Sequence, residues 1–249
     1  MENDLFLLFI KKFRKIVMEN DMLSSRITVK ARILTPQEAI GQPTRKEFPL
    51  VKGEEKMIEA EFRGSYGQAF TDEPSNFEGT IEDVLNMEFN SNKSRAILVA
   101  TVNAVLRHLN LIEKTRHCKN EEPEICSKKL VTYLKDNFNP KKVGIIGFQP
   151  AFVDRISKHF ALRVTDLNPK NIGKKKYGVL IESGNDATED VIQWADVVLA
   201  TGSCVVNGTL DKIMKYAQKY KKTVIFYGVT IGGAAYLLDL VRWCSMAHN

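Results

Sequence analysis

One stretch of the sequence decides the predicted fold: residues 196–210 read DVVLATGSCVVNGTL. Its apolar start is typical of a buried strand, small and hydroxylated residues follow, and helical spacing begins at Leu210. In an open parallel sheet, such a turn lies at the carboxyl end of a strand, where ligands bind, and helix-start amides attract anions. The alternative is that Asn207 or Thr209 only caps the helix, which is worth about 1 kcal/mol. The candidates for ligand contact in this turn are Thr201, Gly202, Ser203, Asn207, Gly208 and Thr209.

The sequence around this stretch alternates between helix and strand patterns from residue 128 onward. Short apolar strands are predicted at residues 143–147, 162–165, 178–181, 197–200 and 223–227, and helices at about residues 130–138, 152–160, 188–194, 210–220 and 234–244. Alternation of this kind calls for a parallel sheet with helices on both faces. We therefore expect a doubly wound α/β fold in this half of the chain.

Other strand ends of this half carry polar residues that would lie at the same edge. Asp166 follows the turn residue Gly147 by 166 − 147 = 19 residues, where dinucleotide-binding folds place a ribose-binding carboxylate. The full G-x-G-x-x-G pattern is missing, so a nucleoside-like or other anionic ligand fits better than NAD. A structural turn, with Asp166 capping its own loop, stays open. With Gln149, Asn168 and Thr230, four turns would converge on one pocket.

The first half has a different pattern, which predicts an α+β domain with antiparallel strands. The expected elements are a helix to about residue 20, strands at 26–34, 48–51 and 57–62, a helical turn after residue 35, a loop at 64–79, and helices after Thr80 and at 94–109. We place the boundary where this pattern breaks. The predicted domains are residues 1–115 and residues 116–249.

The predicted helix at 94–109 is apolar nearly all round and must be buried on several sides. Arg95 and Asn103 interrupt it, and a buried polar group without a partner costs roughly 1–3 kcal/mol. Each residue therefore either bonds to neighbouring protein groups or faces a ligand. Arg95 is in the first turn, where it is also placed to meet an anion.

The chain has four cysteines, and two of them lie close in sequence near the predicted boundary. Since 126 − 118 = 8, seven residues separate Cys118 from Cys126, which is not the spacing of a zinc finger, knuckle or ribbon. A looser metal site is the alternative to ordinary reduced side chains. Its candidate ligands are His117, Cys118 and Cys204, and thiolates would favour a soft, heavy metal.

Composition excludes several classes of protein. The 249 residues are 44% hydrophobic, which is enough for a sizeable core, and the net charge of +6 is spread over short lysine clusters. These clusters indicate a solvated surface and argue against nucleic-acid binding. The apolar run at 5–10 is too short to span a membrane and does not fit a secretory signal. Four scattered cysteines do not make a disulfide framework, so we expect a reducing, cytoplasmic location.

The segment TGSCVVNGTL at 201–210, with VGIIG at 143–147 and the helix that contains Asn103, resembles the heavy-metal chelation family of unknown function. The resemblance covers almost the whole chain, and TGS to NGT is its most specific part. It implies an enolase N-terminal-like domain, a Rossmann-like domain and a shared site between them. The sequence departs from the family pattern after residue 227, where GVTIGG replaces a proline-rich turn.

Three functional classes follow from these observations. In the first class, the protein binds or chelates a heavy metal between the domains. Asp166 is then a further candidate ligand beside His117, Cys118 and Cys204. The second is an enzyme or binding protein for a small anionic metabolite or nucleoside-like cofactor, with Arg95 opposite the turns. The third is a structural or interaction protein. The sequence shows no Ser-His-Asp set, paired acids or phosphate loop, so no catalytic residue is predicted, and a homodimer is expected as the commonest symmetric assembly.

Overall fold

The computed structural model describes residues 5–30, 35–52 and 56–249. The end of the predicted strand at 26–34 and the connection at 53–55 therefore lie outside the described residues. The elements of the first half are α1 (Leu5–Glu19), β1 (Arg26–Lys30), α2 (Pro36–Ile40), α3 (Pro49–Lys52), β2 (Lys56–Phe62), β3 (Ser65–Thr71), β4 (Phe77–Thr80), α4 (Ile81–Leu85) and α5 (Asn92–His108). The strands form an antiparallel sheet in the order β3-β2-β1-β4, and α5 packs across it.

Two predictions for this half are wrong. The residues predicted as a strand at 48–51 instead enter α3, where Phe48 O accepts bonds from the amides of Val51 and Lys52. The predicted loop at 64–79 contains β3 and β4. Its glycines suggested a loop, but Gly67 has a packing role, since a Cβ atom there would lie 2.2 Å from Ala104 N of α5. The missing side chain lets the helix approach the strand closely.

The second half forms the predicted parallel sheet. Its elements are α6 (Glu122–Asn137), β5 (Lys142–Ile146), α7 (Pro150–Ile156), β6 (Ala161–Asp166), β7 (Lys175–Lys176), β8 (Val179–Ser183), α8 (Thr188–Trp194), β9 (Val197–Thr201), a 3₁₀ turn (Gly202–Val205), α9 (Leu210–Lys219), β10 (Thr223–Tyr227), α10 (Gly232–Leu238) and β11 (Arg242–Trp243). The strand order is β11-β10-β9-β5-β6-β8-β7, and β7 alone of these strands runs antiparallel to its neighbour. Without β7, this is the Rossmann order, and it reverses between β5 and β9. The predicted fold class is confirmed.

The predicted last helix, at about 234–244, is too long. α10 ends at Leu238, and Asp239 takes a left-handed conformation with φ of 59°. The chain then adds β11 to the sheet, parallel to β10. As a result, the end of β11 also lies at the carboxyl edge of the parallel sheet.

Alternate residues of the parallel strands face two different cores. Val198 and Ala200 pack in a core with α1, α5, α8, α9 and α10, whereas Val197 and Leu199 pack with α6 and α7. This is the period of two that a strand covered on both faces requires. Helices α1, α4 and α5 of the first half thus lie on one face of the parallel sheet, whereas α2 and α3 pack with Ala151 of α7. The division at residues 115 and 116 stays a prediction. Within the described parts of the chain, no helix has the length and apolar character needed to cross a membrane.

Candidate ligand-binding cavity

A cavity of about 670 Å³ lies at the carboxyl edge of the parallel sheet. Residues at or just after the ends of β5, β6, β8, β9, β10 and β11 all contribute to its wall, as does the end of β3 in the first half. The switch point between β5 and β9 is where open α/β sheets bind ligands. The structure brings together most of the predicted site residues, namely His117, Cys118, Gln149, Asp166, Asn168, Thr201, Gly202, Ser203, Cys204, Asn207, Thr209 and Thr230.

The turn after β9 is held by its own side chains. Asn207 Oδ1 accepts bonds from Thr209 N at 3.1 Å and from Thr209 Oγ1 at 2.7 Å. Thr209 makes no side-chain cap to α9, so these bonds fix the turn and do not cap the helix. Among the described residues, Asn207 Nδ2 makes no hydrogen bond, and Asn207 lines the cavity. Gly202 has to be glycine, because a Cβ atom would lie 2.8 Å from Ile231 N in the neighbouring turn.

The other predicted polar residues combine a local bond with a place in the cavity wall. Gln149 Oε1 accepts from Phe152 N at 2.6 Å and caps α7. Asp166 accepts from Leu167 N at 2.8 Å and from Asn171 Nδ2 at 2.7 Å, so it also caps its own loop. Burial raises the pKa of the Asp166 carboxyl.

Two more of the predicted residues hold neighbouring segments. Asn168 Oδ1 accepts from Lys170 N at 2.9 Å. Thr230 Oγ1 accepts from Phe70 N at 3.1 Å, which joins β3 to the turn after β10. Both residues line the cavity, but these bonds already use one acceptor of each side chain.

Three predicted residues do not line the cavity: Arg95, Asn103 and Gly208. The Arg95 guanidinium donates to Val206 O, Phe89 O and Asn92 Oδ1, and a Cβ at Gly208 would lie 3.8 Å from it. Arg95 thus anchors the back of the turn after β9, away from the cavity.

Asn103 is 1% exposed and bonds entirely to backbone. Its Nδ2 lies within 3.0–3.3 Å of the carbonyl oxygens of Gln68, Val229 and Thr230, and its Oδ1 accepts from Gly233 N at 2.7 Å. The side chain therefore ties α5 to β3 and to the turn that precedes α10.

All four cysteines of the chain line the cavity, and all are free thiols. Burial raises the pKa of Cys118 and Cys204, and raises that of Cys126 to about 11. Cys126 Sγ lies 3.7 Å from Ser245 Oγ, next to Cys244 in the chain. Among the described residues, no three His, Cys, Asp or Glu side chains converge closely enough to hold a metal ion.

His117 lies beside this thiol-containing wall. Burial lowers the pKa of His117 to about 4, so the imidazole is neutral at pH 7. Its ring meets Phe70 edge to face, with centroids 5.4 Å apart. The Nδ1 atom is buried and has no hydrogen-bond partner among the described residues.

Sequence reasoning missed several cavity residues. Thr165 Oγ1 is buried in the wall without a partner among the described residues, and Lys212 lies on the first turn of α9. The position of Thr165 one residue before Asp166 at a strand end was a usable signal. Cys126 lies on α6 and Cys244 directly follows β11, and both line the cavity. No local sequence pattern indicates that α6 and the end of β11 meet there.

Comparison with known proteins agrees with this fold. The sequence model of the family described as "Putative heavy-metal chelation" (DUF364) matches residues 130–239, so the resemblance seen in the sequence is confirmed there. A DUF364 crystal structure of unknown function from Pyrococcus horikoshii is 19% identical, with a TM-score of 0.55, over 89% of this chain and 79% of that one. A second DUF364 structure of unknown function, from Desulfitobacterium hafniense, is 14% identical, with a TM-score of 0.50, over 74% and 72%. Identities this low show a shared fold. Comparison with curated proteins finds no match.

Proposed function

We propose that the cavity binds a small organic molecule that carries anionic or hydroxyl groups. The observation that carries this proposal is that the ends of six parallel strands, with their polar turns, line one cavity of about 670 Å³. That volume is in the range of sites for drug-sized ligands, roughly 300–1,000 Å³, and far exceeds the volume of a metal ion. Such a cavity serves a binding protein or an enzyme.

Unused hydrogen-bonding capacity supports the polar side of this proposal. Asn207 and Thr165 both line the cavity, and among the described residues Asn207 Nδ2 makes no hydrogen bond and the buried Thr165 Oγ1 has no partner. Lys212 adds a positive charge to the same wall. These groups suit a carboxylate or phosphate on the ligand, since amide, hydroxyl and ammonium groups can all donate to an anion.

A carboxylate in the same polar wall suits a hydroxylated group. Asp166 stands at the end of β6, the strand whose carboxylate binds ribose in dinucleotide folds. The turn after β5 does not suit a pyrophosphate, because Phe148 and Pro150 occupy it and Gln149 already caps α7. A nucleoside-like molecule without a diphosphate is therefore the favoured chemical class.

Equilibrium dialysis against nucleosides and phosphorylated or carboxylated metabolites tests this proposal. We expect at least one compound to bind the parent protein and to bind Asn207→Ala about tenfold more weakly, the loss of roughly one hydrogen bond to a charged group. Asn137→Ala is the matched control, because Asn137 is exposed and bonds only within α6. Equal affinities for the parent and both variants would contradict the assignment of the turn after β9.

A second candidate function, binding of a soft heavy metal, is favoured by the gathering of all four cysteines at one cavity. Thiol sulfur and the unpartnered imidazole nitrogen of His117 are ligands that soft metals prefer. The donor chemistry fits, but no three ligands converge among the described residues. Two thiolates, or a small rearrangement of side chains, would then hold the ion.

Titration with Cd²⁺, followed by thiolate-to-metal absorption, tests this second function. Binding should strengthen as pH rises, because the thiols must lose protons. Cys118→Ser is expected to abolish the absorption. Cys204→Ser shows whether the metal also reaches Cys204, as the predicted ligand set requires. Unchanged absorption in both variants would remove the metal proposal.

We further propose a cytoplasmic homodimer. The free thiols of all four cysteines support a reducing location. The prevalence of two-fold assemblies supports the dimer. Sedimentation velocity at several protein concentrations tests the assembly, and a single monomeric species at all of them would contradict it.

A further inference from the structure

We infer that the ligand is amphipathic and that its apolar part, an aromatic or alicyclic ring system, lies in a second subsite under residues 35–52. This inference rests on the proposed function and names the class of molecule that the site would take. It follows from the chemistry of the cavity wall away from the polar turns. We call residues 35–52 the cover segment.

One wall of this subsite is aromatic. Phe152 meets Tyr227 edge to face, with ring centroids 5.0 Å apart, and lies 6.5 Å from the ring of Trp243. All three residues line the cavity. Aromatic ligands bind favourably beside such a cluster, because rings pack well edge to face or offset against one another.

The cover segment supplies a second apolar part of the cavity wall. Ile40, Phe48 and Leu50 line the cavity and belong to a small core cluster with Met57 and Ala151. The cluster connects the cover segment to β2 and to the start of α7. The cavity wall therefore has two apolar parts that come from different parts of the chain.

Polar bonds at the outer side fix the cover segment in place. Arg45, whose side chain is 14% exposed, donates to Glu124 at 2.5 Å, to Asp154 at 2.7 Å and to the Tyr177 hydroxyl at 2.7 Å. Thr44 N and Oγ1 also donate to a carboxylate, that of Glu121, at 2.7 and 2.8 Å. These bonds reach α6, α7 and the β7–β8 connection without entering the cavity.

The aromatic residues and the polar turns line one continuous cavity, and this indicates which kind of molecule occupies its apolar part. The aromatic wall and the polar turns line the same space, so one molecule can contact both. A metal ion or a fully hydrophilic metabolite would leave the aromatic wall facing water. Ligand sites of this size are usually mostly apolar, with a few polar groups that orient the ligand. A ring system joined to an anionic or hydroxylated head matches both walls.

The amphipathic anion 1-anilinonaphthalene-8-sulfonate is a suitable probe, because it joins aromatic rings to one negative charge. We expect saturable binding of one probe per chain with a rise in fluorescence. Leu50→Asp should weaken binding at least tenfold, because it places a charge in the apolar wall. Leu180→Asp is the matched control, since Leu180 is 49% exposed and lies outside the cavity wall, and it should bind like the parent.

A second variant keeps the inference testable if Leu50→Asp fails to fold. Arg45→Gln leaves the cavity wall intact and removes the ion pairs of Arg45 with Glu124 and Asp154, which help to hold the cover segment. It should raise both the association and the dissociation rate of the probe several-fold in stopped-flow measurements. Arg163→Gln is its control, because it breaks another arginine–carboxylate pair, with Glu182 between β6 and β8, and should leave both rates unchanged.

Two results would overturn the inference: no saturable binding of the probe, or equal effects of the variants and their controls. If a hydrophilic ligand that depends on Asn207 is found in either case, the proposed function survives and the apolar subsite fails. If probe binding depends on Leu50 and no compound depends on Asn207, the polar assignment fails and the apolar subsite stands.

Discussion

Two asparagines, Asn103 on α5 and Asn207 in the turn after β9, have similar sequence surroundings but different hydrogen bonding in the structure. Asn103 interrupts an apolar helix, and Asn207 directly follows two valines, Val205 and Val206. Asn103 bonds to four backbone groups and has no contact with the cavity. Asn207 uses only its Oδ1, and its amide nitrogen stays available at the cavity wall. Unused hydrogen-bonding capacity beside a cavity, and not polarity in an apolar context, is thus the mark of a candidate ligand contact.

The largest expected effect is that of Asn103→Ala. It leaves several backbone groups without partners in a fully buried place, and each such group costs about 1–3 kcal/mol. We expect the free energy of unfolding to fall by roughly 3–5 kcal/mol in urea titrations. A loss below about 1 kcal/mol would mean that this side chain is not the structural tie that we describe.

A change of pH tests the buried His117. Its pKa is about 4 in the folded protein and about 6.5 when unfolded, so the unfolded chain binds the proton first. The free energy of unfolding should therefore be fully retained above pH 6.5 and fall as pH drops from about 6.5 to about 4. The contribution of this histidine is up to roughly 3 kcal/mol. His117→Gln should remove this part of the pH dependence, and an unchanged dependence would contradict the buried, neutral imidazole.

Gly202→Ala should have an intermediate effect on stability. The added methyl group would press against Ile231 N, which belongs to backbone that cannot rotate away. We expect a loss of about 1–3 kcal/mol, the usual range for overpacking. Gly232→Ala is the matched control, because Gly232 also lacks a positive φ, but a Cβ atom there would lie no closer than 3.3 Å to its neighbours, which are side chains. It should lose less than Gly202→Ala, and equal losses would show that contact with Ile231 does not set the effect.

The smallest expected effect on stability is that of Asn207→Ala. Its bonds to Thr209 lie at a cavity wall, where water can replace them. The free energy of unfolding should change by less than about 1 kcal/mol. The expected pattern is that Asn103→Ala changes stability and Asn207→Ala changes ligand binding. If Asn207→Ala also lost several kcal/mol, the distinction between the two residues would collapse.

Sequence patterns predicted the fold where local and tertiary preferences agree. Residues 196–210 form the expected strand, turn and helix, because an apolar run followed by small residues has few other structures in an α/β sheet. Predictions from sequence patterns were wrong where tertiary packing overrides the local residue preferences. Gly67 suggested a loop but serves close helix packing in β3, and β11 forms only because the sheet edge accepts it.

The candidate site was predictable in part for a similar reason. Strand ends of a parallel sheet meet at one edge, so Asp166, Thr201 and Asn207 could be placed together from sequence. The surroundings of Arg95 could not be predicted from sequence, because its hydrogen bonds to Val206 and Phe89 form only in the folded structure. The cover segment also escaped prediction, since the bonds of Arg45 join residues more than 70 positions apart.

The most direct test of the central claim is native mass spectrometry of untagged protein that has been exposed to a small-molecule extract of the cells that produce it. We expect an adduct of organic mass on the parent protein and on Asn137→Ala. The adduct should be lost on denaturation and reduced in Asn207→Ala. One spectrum of each sample also reports bound metal and the assembly. A bare polypeptide mass for the parent, or the same adduct on all three proteins, would contradict a ligand held by the turn after β9.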